Sequence, residues 1–501
     1  MPRYLKLSLV AVIVILLAIP VLAIMLTPNL QITNFKVLFN VMFGVSESVP
    51  PTAQVKSRLQ LPAGYYLNVY SSEVSNARFM RLTSTGDLLV SRPRKGKVTL
   101  LLADRNNDGQ SDGKRDLLLD LERPHGIDIH DGWLYIAESN AIGRIKFDAI
   151  SGATNGDYEH ILTGLGDNGN HWSKTLRVGP DDWLYVTAGS TCNVCEEEDP
   201  NRAAMLRISL DGQQTEIYAT GLRNAVGFDW APWSGELYAT DNGRDLMGDD
   251  TPPCELNLIE RGAFYGWPYV NGQNVPDPDL GEGRELQAAT AVPPAFEFRA
   301  HNAPLGITFL QHKTNAKRTA LAALHGSWNR STPDGYRVVA LHWDADGVIT
   351  TSDFLTGFEE DGDIIGRPVD VVENANGDIF VSDDYAGVIY RISRSRAVAV
   401  KTNGAAIVAE TADNGALNEK LVSTGKSLYK KTGCVACHGS RPGQRQNAPK
   451  PLLRLANHSQ SELVDFLTTP TPPMPRFDLS ENDKVALAQY MMDEVRNNSG
   501  I

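Results

Sequence analysis

The sequence predicts an all-β six-bladed β-propeller, preceded by an N-terminal transmembrane helix and followed by a small all-α domain. Short β-rich runs recur about every 50 residues between positions 60 and 395, except between the fourth and fifth runs, where a Pro/Gly-rich insertion covers roughly 245–300. An uncharged apolar run of 20 residues, Leu7 to Leu26, lies near the N-terminus, and two amphipathic helical patterns flank a cysteine pair near the C-terminus. The expected segments are 1–28 (anchor), 29–58 (juxtamembrane tether), 59–395 (propeller), 396–416 (linker) and 417–501 (all-α domain).

Composition limits the possible partners of the chain. The 501 residues carry a formal net charge of −13, and 42% of them are hydrophobic. Binding to nucleic acid requires a basic surface that neutralises phosphates, and this sequence offers none. We therefore expect a globular protein of two or three domains that does not bind nucleic acid.

The N-terminal apolar run predicts a membrane anchor. A helix of about 20 apolar residues is long enough to cross the hydrocarbon core of a bilayer. Arg3 and Lys6 precede the run, which predicts that the N-terminus stays in the cytoplasm. A cleaved signal peptide is the alternative, but the run is long for one and no A-x-A site follows it. The expected location is the inner membrane, with a single pass and the remaining domains in the periplasm.

The repeated runs predict six units. They lie at 87–90, 133–137, 183–186, 236–239, 321–324 and 378–381. Several follow an Asp-Gly or Gly-Asp turn, as strands of antiparallel sheets do. A parallel α/β sheet would need helical stretches between its strands, and the sequence lacks them. Four-stranded blades around a central channel explain the period.

Two of the five cysteines lie inside the propeller segment as Cys192-Asn193-Val194-Cys195. Such a pair could close a small disulfide in an oxidising compartment. A thioredoxin-type redox site is the alternative, but no βαβ pattern surrounds the pair. Cys254 is left without an assigned role.

The segment 104–112 alternates oxygen-bearing side chains before a turn glycine, as the start of an EF-hand loop does. Asp104, Asn106, Asp108 and Asp112 would be the calcium ligands. The segment lacks the closing Glu of an EF-hand, so a plain polar hairpin remains an open alternative.

The C-terminal cysteines form the pentapeptide Cys434-Val435-Ala436-Cys437-His438, which is the attachment signature of c-type haem. Cys434 and Cys437 would bind the haem vinyl groups, and His438 would bind the iron. A zinc site would need four ligands, and no second pair lies nearby. Haem of this type is attached outside the cytoplasm, in agreement with the predicted anchor.

A proline-rich loop, 469–476, places Met474 as the expected second axial ligand of the iron. A methionine opposite a histidine raises the potential of an electron-transfer haem. His458 is the alternative ligand. Amphipathic helices are expected at about 417–430 and at 481–496. Over about 80 residues this region resembles a class I cytochrome c domain.

Eight segments of the propeller region together resemble the soluble PQQ-dependent glucose dehydrogenase and L-sorbosone dehydrogenase family. They occur in the family's order at 123–127, 169–172, 177–182, 221–224, 255–257, 265–268, 325–330 and 366–370. The resemblance covers most of 60–395. It implies a six-bladed propeller that oxidises sugars with pyrroloquinoline quinone (PQQ).

The resemblance implies a catalytic base. In that family a histidine takes the proton from the substrate hydroxyl while hydride passes to the C5 carbonyl of PQQ, and His171 matches this histidine. Imidazole suits the role because its pKa lies near working pH. His125 also lies in a family segment, where packing within a blade is the alternative role.

The resemblance also implies which residues bind the cofactor. PQQ is a planar tricarboxylate, and guanidinium groups pair with carboxylates through two parallel hydrogen bonds. Arg223 and Asn224 match the family's quinone-binding pair. Arg367 and Arg330 are placed like its later cationic contacts, and Arg78 is a further candidate.

The family also holds Ca²⁺ against the quinone with backbone oxygens, and Gly243 and Arg244 are the matching positions. The glucose enzymes have proline where this chain has Arg244, but a backbone ligand tolerates a changed side chain. Cys254 replaces an acidic residue expected in relatives, which leaves a metal role for its loop in question.

The sequence as a whole predicts a membrane-anchored periplasmic quinoprotein dehydrogenase that uses PQQ, Ca²⁺ and haem c. A sugar or aldehyde would be oxidised, and the electrons would pass singly through the haem to an acceptor of the respiratory chain. A ligand-binding or sensing propeller with a non-functional quinone site is the alternative. A calcium-dependent lactonase is disfavoured, because hydrolysis has no use for a haem.

Overall fold

The computed structural model describes residues 52–312, 315, 318–394, 419–432, 434, 463–464, 466–467 and 479–499. The chain divides into two compact units, Met1–Ala399 and Val400–Ile501. No helix among the described residues is both long and apolar enough to span a bilayer. The expected anchor, the linker and the expected haem ligands Cys437, His438 and Met474 lie outside the described residues.

The first unit consists mainly of six four-stranded antiparallel sheets, which confirms the predicted six-bladed propeller. A short helix, α1 (Thr52–Arg58), precedes strand β1 (Tyr66–Ser71). Blade 1 contains β2 (Met80–Leu82), β3 (Leu88–Arg92), β4 (Lys97–Leu101) and β5 (Lys114–Leu118). Blade 2 contains β6 (Ile127–His130), β7 (Trp133–Ala137), β8 (Ala141–Asp148) and β9 (Ala153–Thr163). Blade 3 contains β10 (Lys174–Val178), β11 (Trp183–Ala188), β12 (Ala204–Ser209) and β13 (Thr215–Thr220).

The other three blades follow the same order with one long insertion. Blade 4 contains β14 (Ala225–Trp230), β15 (Leu237–Asp241), β16 (Cys254–Ile259) and β19 (Phe296–Phe298). The insertion between β16 and β19 contains β17 (Val270–Asn271), β18 (Val275–Pro276) and helix α2 (Glu285–Thr290). Blade 5 contains β20 (Pro304–Phe309), β21 (Thr319–Leu324), β22 (Arg337–Trp343) and β23 (Ile349–Leu355). A two-stranded ribbon, β24 (Glu359–Glu360) and β25 (Asp363–Ile364), leads to blade 6, which contains β26 (Pro368–Glu373), β27 (Ile379–Asp383) and β28 (Val388–Ser393).

Strand β1 closes the ring, because it pairs with β28 as the outermost strand of blade 6. Tyr66 lies opposite Ser393, so the two ends of the propeller segment belong to one sheet. Closure of this kind leaves no unpaired gap between the first and last blades.

All six β-rich runs predicted from the sequence fall on the second strand of a blade. That strand is buried on both faces; β27, for example, is buried at every position. Apolar side chains of neighbouring blades pack between the sheets, as Leu100 of blade 1 does against Leu134 and Ile136 of blade 2. Burial on both faces removes the polar alternation of a surface strand and leaves the apolar runs that the sequence displays.

Three buried carboxylates on innermost strands bind backbone N–H groups of the next blade. Asp128 accepts from Val178 at 2.8 Å, Asp229 from Phe309 at 2.9 Å, and Asp370 from Met80 at 2.8 Å. Each bond satisfies a buried amide that the sheet itself leaves unpaired. These contacts hold blade 2 to blade 3, blade 4 to blade 5 and blade 6 to blade 1.

The second unit contains helices α3 (Glu419–Lys431) and α4 (Glu481–Ser499), close to the two helices expected from the amphipathic patterns. The two helices pack through Tyr429 and Tyr490, whose rings lie 5.5 Å apart. A Cβ atom at Gly425 would lie 1.9 Å from the carbonyl oxygen of Ala486, so glycine is required where the helices cross. Cys434 is buried within this small core.

Candidate active site

The candidate residues of the propeller gather at one face. His125, His171, Arg223 and Arg367 each lie shortly before the innermost strand of a blade. In every blade the start of that strand pairs with the end of the second strand, as Lys174 does with Ala188. Segments before the first strand and after the second strand therefore meet at one end of the channel, which we call the site face.

A chain of polar contacts crosses blades 5, 6, 1 and 2 on the site face. The Nε2 atom of His325 lies 2.8 Å from Oδ1 of Asp384, whose Oδ2 accepts a hydrogen bond from Arg78 at 2.9 Å. The second Nη atom of Arg78 lies 3.3 Å from Nε2 of His125. Burial and the charge of Arg367 lower the pKa of His325 to about 4, whereas His325 and Arg78 hold the pKa of Asp384 well below its usual value despite burial.

Aromatic contacts continue this chain into blade 3. The ring of His125 lies 4.6 Å from that of Phe79 and 6.1 Å from that of Trp172, the residue that follows His171. His125 is fully buried, and burial lowers its pKa well below the ordinary value. Its packing between rings and its neutrality agree with the structural role that the sequence left open for it.

His171 is held by the segment after β11. Its Nδ1 atom lies 3.0 Å from the carbonyl oxygen of Ser190 and 2.9 Å from the Ser190 hydroxyl oxygen. Because a carbonyl oxygen only accepts, Nδ1 carries the proton and Nε2 presents a lone pair. Nε2 has no hydrogen-bond partner among the described residues, so it is available to a ligand.

Burial and two cations keep His171 neutral. Burial, the charge of Arg223 and the charge of Arg202 together lower the pKa of His171 to about 3. The buried Arg202 donates to the carbonyl oxygens of Gly189, His171 and Ser190 at 2.6, 3.1 and 3.0 Å. It thereby joins the segment that carries His171 to the segment that orients it.

Gly189 brings His171 and Asn224 together. A Cβ atom at Gly189 would lie 2.6 Å from Oδ1 of Asn224 and 2.6 Å from Cβ of His171. Only glycine fits between two side chains at these distances. The side-chain amide of Asn224 has no hydrogen-bond partner among the described residues and lies beside His171, as a ligand-binding pair requires.

Arg223 differs from the expectation of a cation open to a ligand. Its Nε donates to the Asn193 carbonyl oxygen at 2.9 Å, and Nη1 donates to the carbonyl oxygens of Asn242 and Gly243 at 3.1 and 2.9 Å. Nη2 donates to Oδ1 of Asn193 at 2.8 Å and to Asp245 at 3.1 Å. A guanidinium has five N–H bonds, so the protein uses all of them. Direct contact of Arg223 with a quinone stays a prediction.

The remaining arginines differ in how many of their N–H groups are open to a ligand. Arg367 donates through Nε and Nη2 to the carbonyl oxygens of His325 and Gly326 at 3.0 and 2.8 Å, and Nη1 has no partner among the described residues. Arg330 binds the carbonyl oxygens of Asp249 and Ala300 and the carboxylate of Asp250. Arg367 and Arg78 are therefore the cations best placed to meet an anion on the site face.

The expected calcium residues line a small cavity of about 20 Å³ on this face. Gly243 and Arg244 share its wall with Asp241 and Glu255, which lie opposite each other in the sheet. Burial raises the pKa of Asp241 to about 6; burial and the charge of Asp241 raise that of Glu255 to about 8. The Arg244 side chain is bound by Asp277 and Asp279.

The raised carboxyl pKa values predict a pH-dependent stability. A raised folded-state pKa contributes stability at pH values below the unfolded value, about 4.3 for Glu, and this stability is lost as pH rises through about 8. Glu255 therefore lowers the melting temperature of the protein without added metal as pH rises from 5 to 8, whereas the buried histidines with lowered pKa values act in the opposite direction. Glu255→Gln should remove the Glu255 contribution and so change the slope of melting temperature against pH. Melting temperatures of both chains measured in a chelator across this range test the expectation, and equal slopes would contradict it.

The loop 104–112 is held by hydrogen bonds within the protein. Asp104 accepts from the backbone N–H groups of Asp108 and Gly109 and from the guanidinium of Arg391. Asp112 accepts from the N–H of Arg105 at 3.0 Å. Asp104, Asp108 and Asp112 do not form a group of three whose oxygens all lie within 4.8 Å of one another. A calcium ion at this loop stays a prediction.

The cysteines of the propeller have distinct states. Cys192 and Cys195 form a disulfide on the site face. With Glu197 they are the one group of three possible metal-ligating side chains within 4.8 Å among the described residues, but the disulfide occupies both sulfur atoms. Cys254 is buried, and burial raises the pKa of its thiol to about 11, so it stays protonated and unreactive.

Sequence reasoning missed four residues that shape the site: Ser190, Arg202, His325 and Asp384. Each acts on a group from a distant part of the sequence or through the backbone. No local spacing marks such contacts. The one available signal was the position of Ser190, His325 and Asp384 just after the second strand of a blade, where loops of this face begin.

Comparison with known proteins identifies relatives of both units. Residues 135–391 match the family described as Glucose / Sorbosone dehydrogenase, and residues 420–491 match the one described as Cytochrome C oxidase, cbb3-type, subunit III. An uncharacterized protein of Borreliella burgdorferi is 31% identical over 385 residues, 73% of this chain and 98% of that protein. A pyrroloquinoline quinone-dependent pyranose dehydrogenase of Coprinopsis cinerea is 25% identical over 418 residues, 69% of this chain. The match covers 56% of that relative's length.

Solved structures share the propeller fold. The holo form of the pyranose dehydrogenase PQQ domain from Coprinopsis cinerea aligns with a TM-score of 0.58 at 22% identity, over 67% of this chain and 97% of that chain. The calcium structure of a Trichoderma reesei carbohydrate-active enzyme of family AA12 aligns with a TM-score of 0.60 at 21% identity, over 68% of this chain and 97% of that chain. At these identities the likeness concerns the fold.

Proposed function

We propose that this chain, which belongs to the glucose/sorbosone dehydrogenase family and carries a cytochrome c domain, oxidises a sugar or aldehyde with PQQ and sends the electrons through its own haem. The observation that carries the proposal is the geometry of His171. A neutral imidazole with Nδ1 bound to a carbonyl presents the lone pair of Nε2 on the site face, beside the unpartnered amide of Asn224.

The donors of the site face fit a planar tricarboxylate. PQQ, when bound, supplies the acceptor for a hydride. Nη1 of Arg367 and the amide of Asn224 have hydrogen-bond capacity that no described residue uses. Arg78 adds a second positive charge on the same face, shared with Asp384. These residues would bind and orient the cofactor, while Arg223 would hold the loop beneath it.

His171 would act as the general base. A substrate hydroxyl placed within hydrogen-bond distance of Nε2 gives its proton to that atom as the adjacent C–H bond breaks. Nδ1 stays bound to Ser190, so the ring keeps its orientation while it is protonated. The lowered pKa keeps Nε2 unprotonated before each turnover at neutral pH, but it also makes this imidazole a weaker base than the one that the sequence led us to expect, whose pKa would lie near working pH.

The cavity beside Gly243 suits a calcium ion. Ca²⁺ prefers oxygen ligands, and Gly243, Arg244, Asp241 and Glu255 all line one small space, where backbone carbonyls of the first two and carboxylates of the last two would be the donors. The Gly243 carbonyl already accepts a hydrogen bond from Arg223, but it has a second lone pair. Burial raises the pKa values of the two acids, and a bound cation would favour their charged forms.

The haem unit would remove electrons one at a time. Cys434 and Cys437 would bind haem c, with His438 and Met474 as axial ligands. The proposed location is the periplasmic side of the inner membrane, with residues 1–28 as anchor and a respiratory-chain component as the final acceptor. The matched cytochrome family and the haem attachment motif support this assignment.

Reconstitution tests the function. Purified protein free of quinone would receive PQQ with Ca²⁺ and then an aldose or a sugar aldehyde, with a dye as acceptor. We expect turnover that requires PQQ and the substrate together. Binding of sugar without turnover would instead favour a sensing propeller. Absence of both quinone binding and turnover would contradict the proposal.

A further inference from the structure

The disulfide-closed turn 192–195 is hydrogen-bonded to the residues that form the site. Asn193, between the two cysteines, uses all of its side-chain and carbonyl groups. Its carbonyl oxygen accepts from Arg223 at 2.9 Å and from the Trp267 indole at 3.3 Å. Its Oδ1 accepts from Arg223 at 2.8 Å and from the N–H of Asp245 at 2.7 Å, while Nδ2 donates to the Asp245 carbonyl at 3.0 Å.

The same turn reaches His171 through Ser190. The Ser190 hydroxyl donates to the carbonyl oxygen of Cys192 at 2.7 Å, and the Ser190 carbonyl is the group that fixes Nδ1 of His171. The Ser190 N–H donates to the Arg223 carbonyl at 2.7 Å. Position 190 thus connects the base, the buried arginine and the turn within three hydrogen bonds.

The turn is also packed tightly against the loop segment that precedes His171. The N–H of Asn170 donates to the Thr191 carbonyl oxygen at 2.8 Å. A Cβ atom at Gly169 would lie 2.0 Å from that oxygen, so the two segments are in direct backbone contact. Glu197, which follows Cys195, accepts from the N–H of Thr191 at 2.6 Å and so links the two ends of the turn. Opening the turn would therefore move both sides of the site.

We propose that the Cys192–Cys195 disulfide is a positioning device, in which the closed turn presents Asn193 to hold Arg223 and the 242–245 loop and, through Ser190, orients His171. This inference rests on the proposed function. Asn193 and the disulfide act through other residues, so they are positioning elements and not catalytic groups. The covalent link limits the conformations of a turn that hydrogen bonds alone must otherwise hold.

Reduction of the Cys192–Cys195 disulfide should free the turn from its covalent constraint. A dithiol such as dithiothreitol would give two electrons and two protons to the Cys192–Cys195 bond, yielding two thiols and the cyclic disulfide of the reagent. The sulfur atoms that attach haem would be thioethers and would not react. The mobile turn would no longer present both acceptors of Asn193 to Arg223, and the Ser190 contact with His171 would weaken.

The first test needs no cofactor. Hydrogen–deuterium exchange would be measured on the full chain without quinone, before and after reduction and alkylation, and on Asn193→Ala. We expect faster exchange of the amides of Asn170, Ser190 and Asp245, with no change in β3 and β4 of blade 1. The Cys192→Ser/Cys195→Ser double variant should show the faster exchange without reduction and no further change with it. Unchanged exchange at these amides would overturn the proposal.

The second test separates positioning from stability alone. In PQQ-loaded protein, Asn193→Ala should lower kcat by about 10–100-fold, the scale of a small displacement of a catalytic group. Asn193→Asp keeps the acceptor for Arg223 and should recover part of the loss, whereas the exposed control Asn376→Ala should match the wild type. Faster exchange with unchanged kcat and PQQ affinity would overturn the positioning role. If reduction speeds exchange in the wild-type chain but that chain shows no PQQ-dependent turnover, the positioning role of the disulfide stands and the proposed function is wrong.

Discussion

His171→Ala is expected to lower kcat by about 10²–10⁴-fold, the contribution that a positioned general base makes. The variant loses the lone pair on Nε2, and no other neutral imidazole among the described residues has both Nδ1 fixed and Nε2 unpartnered on the site face. His125 is bound by Arg78, and His325 is bound by Asp384. PQQ affinity should stay close to the wild-type value, because His171 supplies no positive charge at neutral pH.

His130→Ala is the matched control, since His130 lies at the opposite end of β6 from the site face. It should keep wild-type kcat. Steady-state kinetics with a saturating sugar, together with fluorescence titration of PQQ, would separate the effect on turnover from the effect on binding. A kcat for His171→Ala within about twofold of the control would remove this residue from the mechanism.

Arg223→Ala is expected to weaken PQQ binding and destabilise the propeller by about 3 kcal/mol. The change removes five hydrogen bonds at once and leaves the half-buried carbonyl oxygens of Asn242 and Gly243 without this donor. The loop that carries the expected calcium ligands would lose its main support. PQQ titration and thermal unfolding, each with and without Ca²⁺, measure the two effects.

Arg223→Lys and Arg261→Ala are the controls for that prediction. A lysine keeps the charge but cannot reproduce the planar fork that reaches Asn193 and the 242–245 loop together, so it should recover little. Arg261 is exposed on the protein surface, so Arg261→Ala should change neither PQQ binding nor thermal unfolding. Full recovery by lysine would show that charge near the quinone matters, and not the support of the loop.

The blades could be predicted from the sequence because their second strands are buried on both faces and, apart from the insertion in blade 4, repeat at similar spacing. Strand β1 was not assigned to a blade, since its partner β28 lies more than 300 residues away and pairing at that separation leaves no local pattern. The two helices of the second unit were predicted well because each buries one face against the other.

The site was predictable only as far as individual residues. His171 and Asn224 lie on either side of Gly189. The family segments suggested that both residues belong to the site, but they could not show that the two side chains are neighbours. The full engagement of Arg223 was not foreseen, because most of its partners are backbone oxygens of other segments and any residue type supplies such an oxygen. Asp384 and His325 were missed for a related reason, because their pairing joins blades 5 and 6 on the site face.

The central claim is that one chain both oxidises the substrate and carries the electrons away, and haem reduction tests it most directly. A tethered acceptor has a local concentration of roughly millimolar, so transfer should occur within each molecule. Stopped-flow absorbance would follow the haem of PQQ-loaded protein after mixing with substrate at several protein concentrations, with Met474→Ala as a variant expected to have a lower haem potential. The account predicts a haem reduction rate that is independent of protein concentration. A rate that rises in proportion to protein concentration, or no haem reduction while a dye is reduced, would contradict it.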